Sequence, residues 1–315
     1  MSTTKPESVV AARNAPRLNL GSCPDSWGVW FADDPHQTPW PRFLDEIADV
    51  GYRWLELGPY GYLPTDAGRL SDELAKRGLR VSGQAIYAPL QHADQWKSIL
   101  DEARRIAELV SAVGGRFMVV LPGFYRDEKT AEVREPRELD ADAWSTLVRQ
   151  NNELGRVISE EYGLTAAFHP HADTHVETQE QVERFLHDTD PRYVSLCLDT
   201  GHFAYRHGDN VGLIQKYPER LGFVHIKGVD PEIVKVVDAE DLPFGEAVKR
   251  GVMAEPPNAE PKIEPIADAL RGLDVEEMFV IVEQDLYPCD FDVPKPIAKR
   301  TYDYLRSLGI GGDES

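Results

Sequence analysis

Eight short apolar runs punctuate this chain, with longer helix-patterned stretches between them. The runs are Leu18–Gly21, Trp54–Leu57, Arg80–Gln84, Phe117–Leu121, Thr165–His169, Val194–Asp199, Phe223–Lys227 and Phe279–Glu283. Short runs rich in β-branched and other apolar residues, separated by helices, form parallel strands buried on both faces. The helices are plainest in two places. Between Ala93 and Val113, Trp96, Ile99, Leu100, Ala103, Ile106, Ala107 and Val110 make one apolar stripe, which Gly114 and Gly115 end. From Asp140 to Tyr162 a weaker stripe runs through Trp144, Leu147, Leu154, Val157 and Ile158, and Gly163 stops it.

Eight such alternations predict an α/β fold, a closed (β/α)8 barrel in one domain over residues 18–310. An open doubly wound sheet would carry a glycine-rich turn after an early strand, and no G-x-G-x-x-G occurs. A length of 315 residues suits one barrel, and 42% hydrophobic with 28% charged residues suits a folded core. Residues 1–17 and 311–315 read as flexible ends. The connection 228–262, between the last two strands, is rich in Pro, Glu and Gly. Loops beyond about 12–15 residues are usually functional or disordered. This one is read as a lid or partner-contact loop, with a short helix near Phe244–Lys249.

The net charge of −20 makes nucleic acid and anionic membrane poor partners. Cys23, Cys197 and Cys289 are odd in number and far apart, which argues against a disulfide scaffold and for a reducing compartment. Met1–Pro16 is polar, and no run approaches the roughly 20 apolar residues of a membrane span. The expected location is the cytoplasm, and a homo-oligomer is compatible with all of this.

The last four runs end on residues that carry chemistry: His169-Pro170-His171, Asp199-Thr200-Gly201-His202, His225-Ile226-Lys227 and Glu283-Gln284-Asp285. In a barrel these ends converge on one mouth. Imidazole and carboxylate donors together suit Mn, Co, Fe, Ni or Zn, whereas carboxylate and water alone suit Mg better. His169, Asp199, His225 and Glu283 are therefore the first-choice ligands of one divalent ion, with His171 competing for the first place. Each alone has a plain structural explanation; Asp199 can simply cap the next helix. All four together are costly to bury unless a metal or hydrogen bonds compensate.

The motifs CLDTGH, FVHIKG and FVIVEQD, preceded by AAFHPHADTHVET, resemble the xylose-isomerase-like barrel superfamily of sugar phosphate isomerases and epimerases. GSCPDSWGVW and WLELGPYGYLP extend the likeness toward its inosose (2-keto-myo-inositol) dehydratase branch, over nearly the whole chain from Asn19. The resemblance implies ligands Glu, Asp, His and Glu from strands five to eight, with His169 where the superfamily has its first Glu. It implies a substrate-contacting histidine three residues after the Asp, which is His202, and Glu283 as both ligand and base. The sequence departs from the branch at Gly228, where Asp tends to follow Lys227, and loosely over Gly251–Pro256. The implied cofactor is one divalent ion, Mn2+ or Co2+ ahead of Mg2+, Fe2+, Ni2+ or Zn2+.

Such an ion polarises a ketone, and a positioned carboxylate or imidazole then removes the α-proton. Loss of a β-hydroxyl makes the reaction a dehydration of a keto-cyclitol. Reprotonation elsewhere makes it an isomerisation or epimerisation of a keto-sugar. β-Elimination on a 3-keto-glycoside differs only in its leaving group. Glu283, His202 and Glu56 are the catalytic candidates; Glu56 either faces the mouth or pairs with an arginine near the barrel floor. Trp27, His171, His202 and Lys227 are the substrate-side candidates. Trp27 is preferred over Trp30 and Tyr60 as the ring against the substrate. Lys227, beside His225, is read as turning to the opposite face of its strand. A reading of another class, a non-catalytic barrel subunit whose long loop docks a partner, leaves the four strand-end donors unexplained.

Overall fold

The computed structural model describes residues 15–127, 130–256 and 258–312. The first half runs β1 (Arg17–Ser22), α1 (Trp40–Val50), β2 (Trp54–Glu56), α2 (Ala67–Ala75), β3 (Arg80–Ala88), α3 (Trp96–Ala112), β4 (Phe117–Pro122) and α4 (Ala141–Tyr162). The second half begins with β5 (Thr165–Phe168), α5 (Gln179–Asp188), β6 (Val194–Asp199), α6 (Thr200–Tyr205), α7 (Asn210–Lys216) and β7 (Leu221–Ile226). It ends with α8 (Pro231–Glu240), α9 (Phe244–Lys249), α10 (Ile263–Arg271), β8 (Glu277–Val282) and α11 (Pro294–Ser307). The eight strands pair in parallel, in sequence order, and β8 closes on β1. This is the (β/α)8 barrel expected from the alternation.

Local chemistry explains the element ends. Asp140 caps α4 by accepting from the Ala143 N–H, and Gly163 ends that helix in the left-handed conformation at φ 68°. Thr178 and Gln181 form a reciprocal capping box at the start of α5. Of the ends expected to be loose, residues 1–14 and 313–315 lie outside the described residues. At the edges of those segments the chain is held: Arg17 opens β1, and the Gly311 N–H donates to the Leu18 carbonyl.

The connection 228–262 is a correction to the loop reading. It holds α8 as well as the expected helix at α9. Val229 exchanges two backbone hydrogen bonds with Glu260, and the Ala254 N–H donates to the Gly228 carbonyl. A second apolar cluster of Val229, Val234, Val237, Phe244, Ala247 and Val252 packs it onto Tyr205 and Ala172. A Cβ at residue 228 would sit 2.5 Å from that of Ala259, so glycine after Lys227 permits this close packing.

The barrel floor closes on charge. Glu277 accepts from Arg17, from Asn19 Nδ2 at 2.7 Å and from Arg116 at 2.5 Å. Partial burial opposes ionisation, but these donors outweigh it and bring the Glu277 pKa down to about 2. An unfolded glutamate titrates near 4.3, so the stabilisation is fully present above that pH and is lost as pH falls toward about 2. Glu277→Gln is therefore expected to lower unfolding stability at pH 7, with the gap to wild type closing between those two values. Denaturant unfolding at stepped pH measures it; a pH-independent gap would show that the charge is not responsible.

Candidate metal centre and cavity

Backbone geometry delivers the four strand-end donors. His169 and Glu283 each lie one residue past their strands, yet their N–H groups still donate to Val120 and Ile226 carbonyls, continuing the ladders. Asp199 ends β6 directly beside His225 of β7. One Asp199 oxygen, Oδ1, accepts from the His202 N–H at 2.7 Å and caps α6. The other, Oδ2, is buried without a hydrogen-bond partner. The capping role and a ligand role thus fall to different oxygens of one carboxylate.

Ligand atoms of His169, Asp199, His225 and Glu283 all lie within 4.8 Å of one another. His169 Nε2 is 3.5 Å from Asp199 Oδ2 and 3.7 Å from Glu283 Oε2. His225 Nδ1 approaches Glu283 Oε2 to 2.6 Å without hydrogen-bond alignment. These four buried atoms lack hydrogen-bond partners, which proteins rarely tolerate. Two imidazoles and two carboxylates converging this way fit a divalent ion of borderline hardness. His171 is outside the group: its Nδ1 donates to the Ala172 carbonyl at 2.7 Å, and its ring packs on His202 with centroids 3.7 Å apart.

Of its two expected placements Glu56 takes the one facing the mouth: it lines the cavity and does not pair with a floor arginine. It lies 2.8 Å from His225 Nε2, so it orients that ring and turns Nδ1 inward. A carboxylate behind a ligating imidazole typically carries about 10–100-fold in metal affinity. Glu56→Gln is expected to weaken Mn2+ or Co2+ binding by that factor in equilibrium dialysis, whereas unchanged affinity would remove the orienting role.

Lys227 is a second correction. Residues 225 and 227 are two apart and share a strand face, so Lys227 turns inward like His225. Its Nζ lies 2.7 Å from Asp285 Oδ2, 3.3 Å from both Asp199 Oδ2 and Glu283 Oε2, and 2.9 Å from His202 Nε2. A Cβ at residue 201 would meet Lys227 Cγ at 2.5 Å, so Gly201 makes room for this side chain. Burial opposes the Lys227 charge, but Asp199, Asp285 and Glu283 hold its pKa well above the ordinary value. Burial raises Glu283 as well; Lys227, His225 and His169 outweigh it and hold that carboxyl well below its usual range. His171 and His202 are pushed well below theirs, first by burial and then by neighbouring cations, which keeps both rings neutral.

A cavity of about 440 Å3 opens above the donors. Its polar pole comprises Asp25, Glu56, His169, His171, His225, Glu283 and Asp285. Trp30, Tyr60, Tyr87, Phe124 and Phe244 form much of the rest. Among the described residues, no lysine or arginine lines it. Trp27 does not line it either: the 3-10 turn Pro24–Trp27 swings its ring against Phe43 at 5.1 Å, with Nε1 donating to Glu46. Trp30 holds the place expected for Trp27, stacked on Tyr287 and donating to Asp285. His202 and Lys227 also stand behind the lining. Asp25 lies in the 3-10 turn three residues past the end of β1, a place no strand-end position in the sequence marks. Burial, Glu283 and Asp285 raise its carboxyl well above the usual range.

The long connection roofs the site. Phe244 packs on His171 and His202 at 4.9 and 4.7 Å, and its N–H donates to Asp173 Oδ2. Asp173 is wholly buried and also receives Arg126 and Arg206, while Glu177 receives Arg206 and Arg137. These ion pairs lock the segment after β5 beneath α9.

A closed barrel with a buried donor cluster at the C-terminal ends of its strands defines a barrel enzyme, of the lyase or isomerase class by its relatives. The chain belongs to the xylose isomerase-like TIM barrel family, whose profile matches residues 44–308. It is 30% identical over 271 residues to the inosose dehydratase of Halalkalibacterium halodurans, covering 82% of this chain and 88% of that protein. Among solved structures, the IOLI protein with a binding zinc atom superposes with a TM-score of 0.69 at 17% identity, over 93% of this chain and 98% of that one. L-ribulose 3-epimerase superposes with a TM-score of 0.65 at 18% identity, over 92% and 93%. No helix among the described residues is long and apolar enough to cross a membrane.

Proposed function

We propose that the chain is a divalent-metal-dependent dehydratase of a keto-cyclitol, with 2-keto-myo-inositol as substrate and Mn2+ or Co2+ as the ion. The observation that carries this reading is the convergence of four buried donor atoms of His169, Asp199, His225 and Glu283, none of them hydrogen-bonded, at one pole of the cavity. The inosose dehydratases among its relatives support the substrate. So does the lining: acidic groups without a lysine or arginine disfavour phosphorylated or carboxylated sugars and suit a neutral polyol.

When bound, the ion supplies Lewis-acid polarisation of a ketone and its neighbouring hydroxyl. Glu283, ionised and lining the cavity, takes the α-proton. Asp25, held protonated by burial and neighbouring carboxylates, gives its proton to the departing β-hydroxyl. His171, neutral and with Nε2 as its acceptor nitrogen, receives a substrate hydroxyl. His202 positions His171 and Lys227, and Glu56 positions His225. Trp30 and Phe244 exclude water and offer ring faces to substrate C–H groups.

The test is incubation with 2-keto-myo-inositol and Mn2+ or Co2+, in which an ultraviolet-absorbing dione should accumulate. Solvent-proton exchange into keto-sugars without a dione would replace dehydration by isomerase chemistry. Asp25→Asn should retain metal while kcat falls by roughly 10^2–10^4. Full turnover in that variant would remove Asp25 as the acid.

A further inference from the structure

The barrel layer beneath the carboxylates carries a thiol. Cys197 precedes Asp199 by two residues on β6, so both point into the barrel. It is wholly buried in the floor cluster with Val119, Ala167, Phe223 and Phe279. Its sulfur and one ring nitrogen each of His169 and His225 lie within 4.8 Å of one another. Both His169 nitrogens and His225 Nδ1 are buried without hydrogen-bond partners. Two imidazoles are therefore common to two donor sets, one completed above by Asp199 and Glu283, the other below by Cys197.

We propose that the pocket holds metal in two registers: a hard or borderline ion on the upper set, and a thiophilic divalent ion one layer deeper, on His169, Cys197 and His225. Thiolate donors select soft ions, whereas carboxylates select hard ones. Seating in the lower register replaces the S–H bond of Cys197 by a sulfur–metal bond and releases the proton to solvent, with no change of oxidation state. An ion there is withdrawn from the cavity toward the apolar floor, and Asp199 and Glu283 are left to Lys227. This makes thiophilic ions inhibitors that compete with the working ion through the shared imidazoles. The inference builds on the proposed metal site but is read without turnover.

Cd2+ titration of the metal-stripped full chain tests it by thiolate-to-cadmium charge-transfer absorbance in the ultraviolet. One Cd2+ per chain with that band is expected in the wild type and in Cys23→Ser. The band should vanish in Cys197→Ser and Cys197→Ala, while both still take up Mn2+. Cys23 approaches Asp25 and Glu283 in a separate group, so loss of the band in Cys23→Ser, or its survival in both Cys197 variants, would overturn the proposal. Cadmium bound without the band would also overturn it. A wild type that gives the band but takes up no Mn2+ would support the lower register while removing the upper one.

Discussion

Asp199→Ala is expected to abolish metal retention and to lower kcat/KM by about 10^3 or more. Loss of Lewis-acid stabilisation is worth several kcal/mol, and each 1.36 kcal/mol is about tenfold in rate. The same substitution removes the cap of α6, which costs about 1 kcal/mol of stability. Asp199→Asn separates the two effects. Its side-chain oxygen still accepts from the His202 N–H, so the cap is kept and any loss of stability reports the ion pair with Lys227 instead. The amide is a poor replacement for Oδ2 as a ligand, so metal and activity should still be lost. Chemical unfolding and turnover on both variants make the comparison. An active Asp199→Asn enzyme with wild-type metal content would refute the ligand assignment.

Lys227→Met should destabilise the metal-free protein by about 3–5 kcal/mol, the usual result of breaking a buried ion pair from one side. Lys227 is the cation within 3.3 Å of Asp199, Glu283 and Asp285, and the variant leaves these carboxylates facing one another. Saturating Mn2+ restores positive charge to the same place. The rise in Tm on adding Mn2+ should therefore be larger in the variant than in wild type, beyond the ordinary mass-action gain of about 2.7 kcal/mol at a hundredfold excess over Kd. Metal-free Lys227→Met unfolding within 1 kcal/mol of wild type would show that the carboxylates find another way to share the burial.

The barrel was legible because parallel strands buried on both faces leave little freedom in sequence. All eight runs overlap the observed strands, and Gly163 ends α4 as read. The four strand-end donors were legible for the same reason, since residues at the C-terminal ends of barrel strands have one mouth to face. Two of the differences depended on a turn and on a contact between distant segments. Trp27 and Trp30 are three residues apart, and the 3-10 turn after β1 decides which enters the cavity. Glu56 meets His225 across 169 positions of sequence, which no local pattern announces. Lys227 obeys the strand alternation: residues two apart share a face, so it points with His225 and opposite to Ile226. The helix α8 hid in a Pro- and Glu-rich stretch, although Asp230 as cap and Pro231 at the first turn are start signals.

The most direct measurement is metal content after dialysis of the stripped full chain against Mn2+ or Co2+. One ion should stay with each wild-type chain, and Asp199→Asn and His169→Ala should keep far less. A wild type that retains none, or variants that retain as much as wild type, would contradict a centre built by the last four strands.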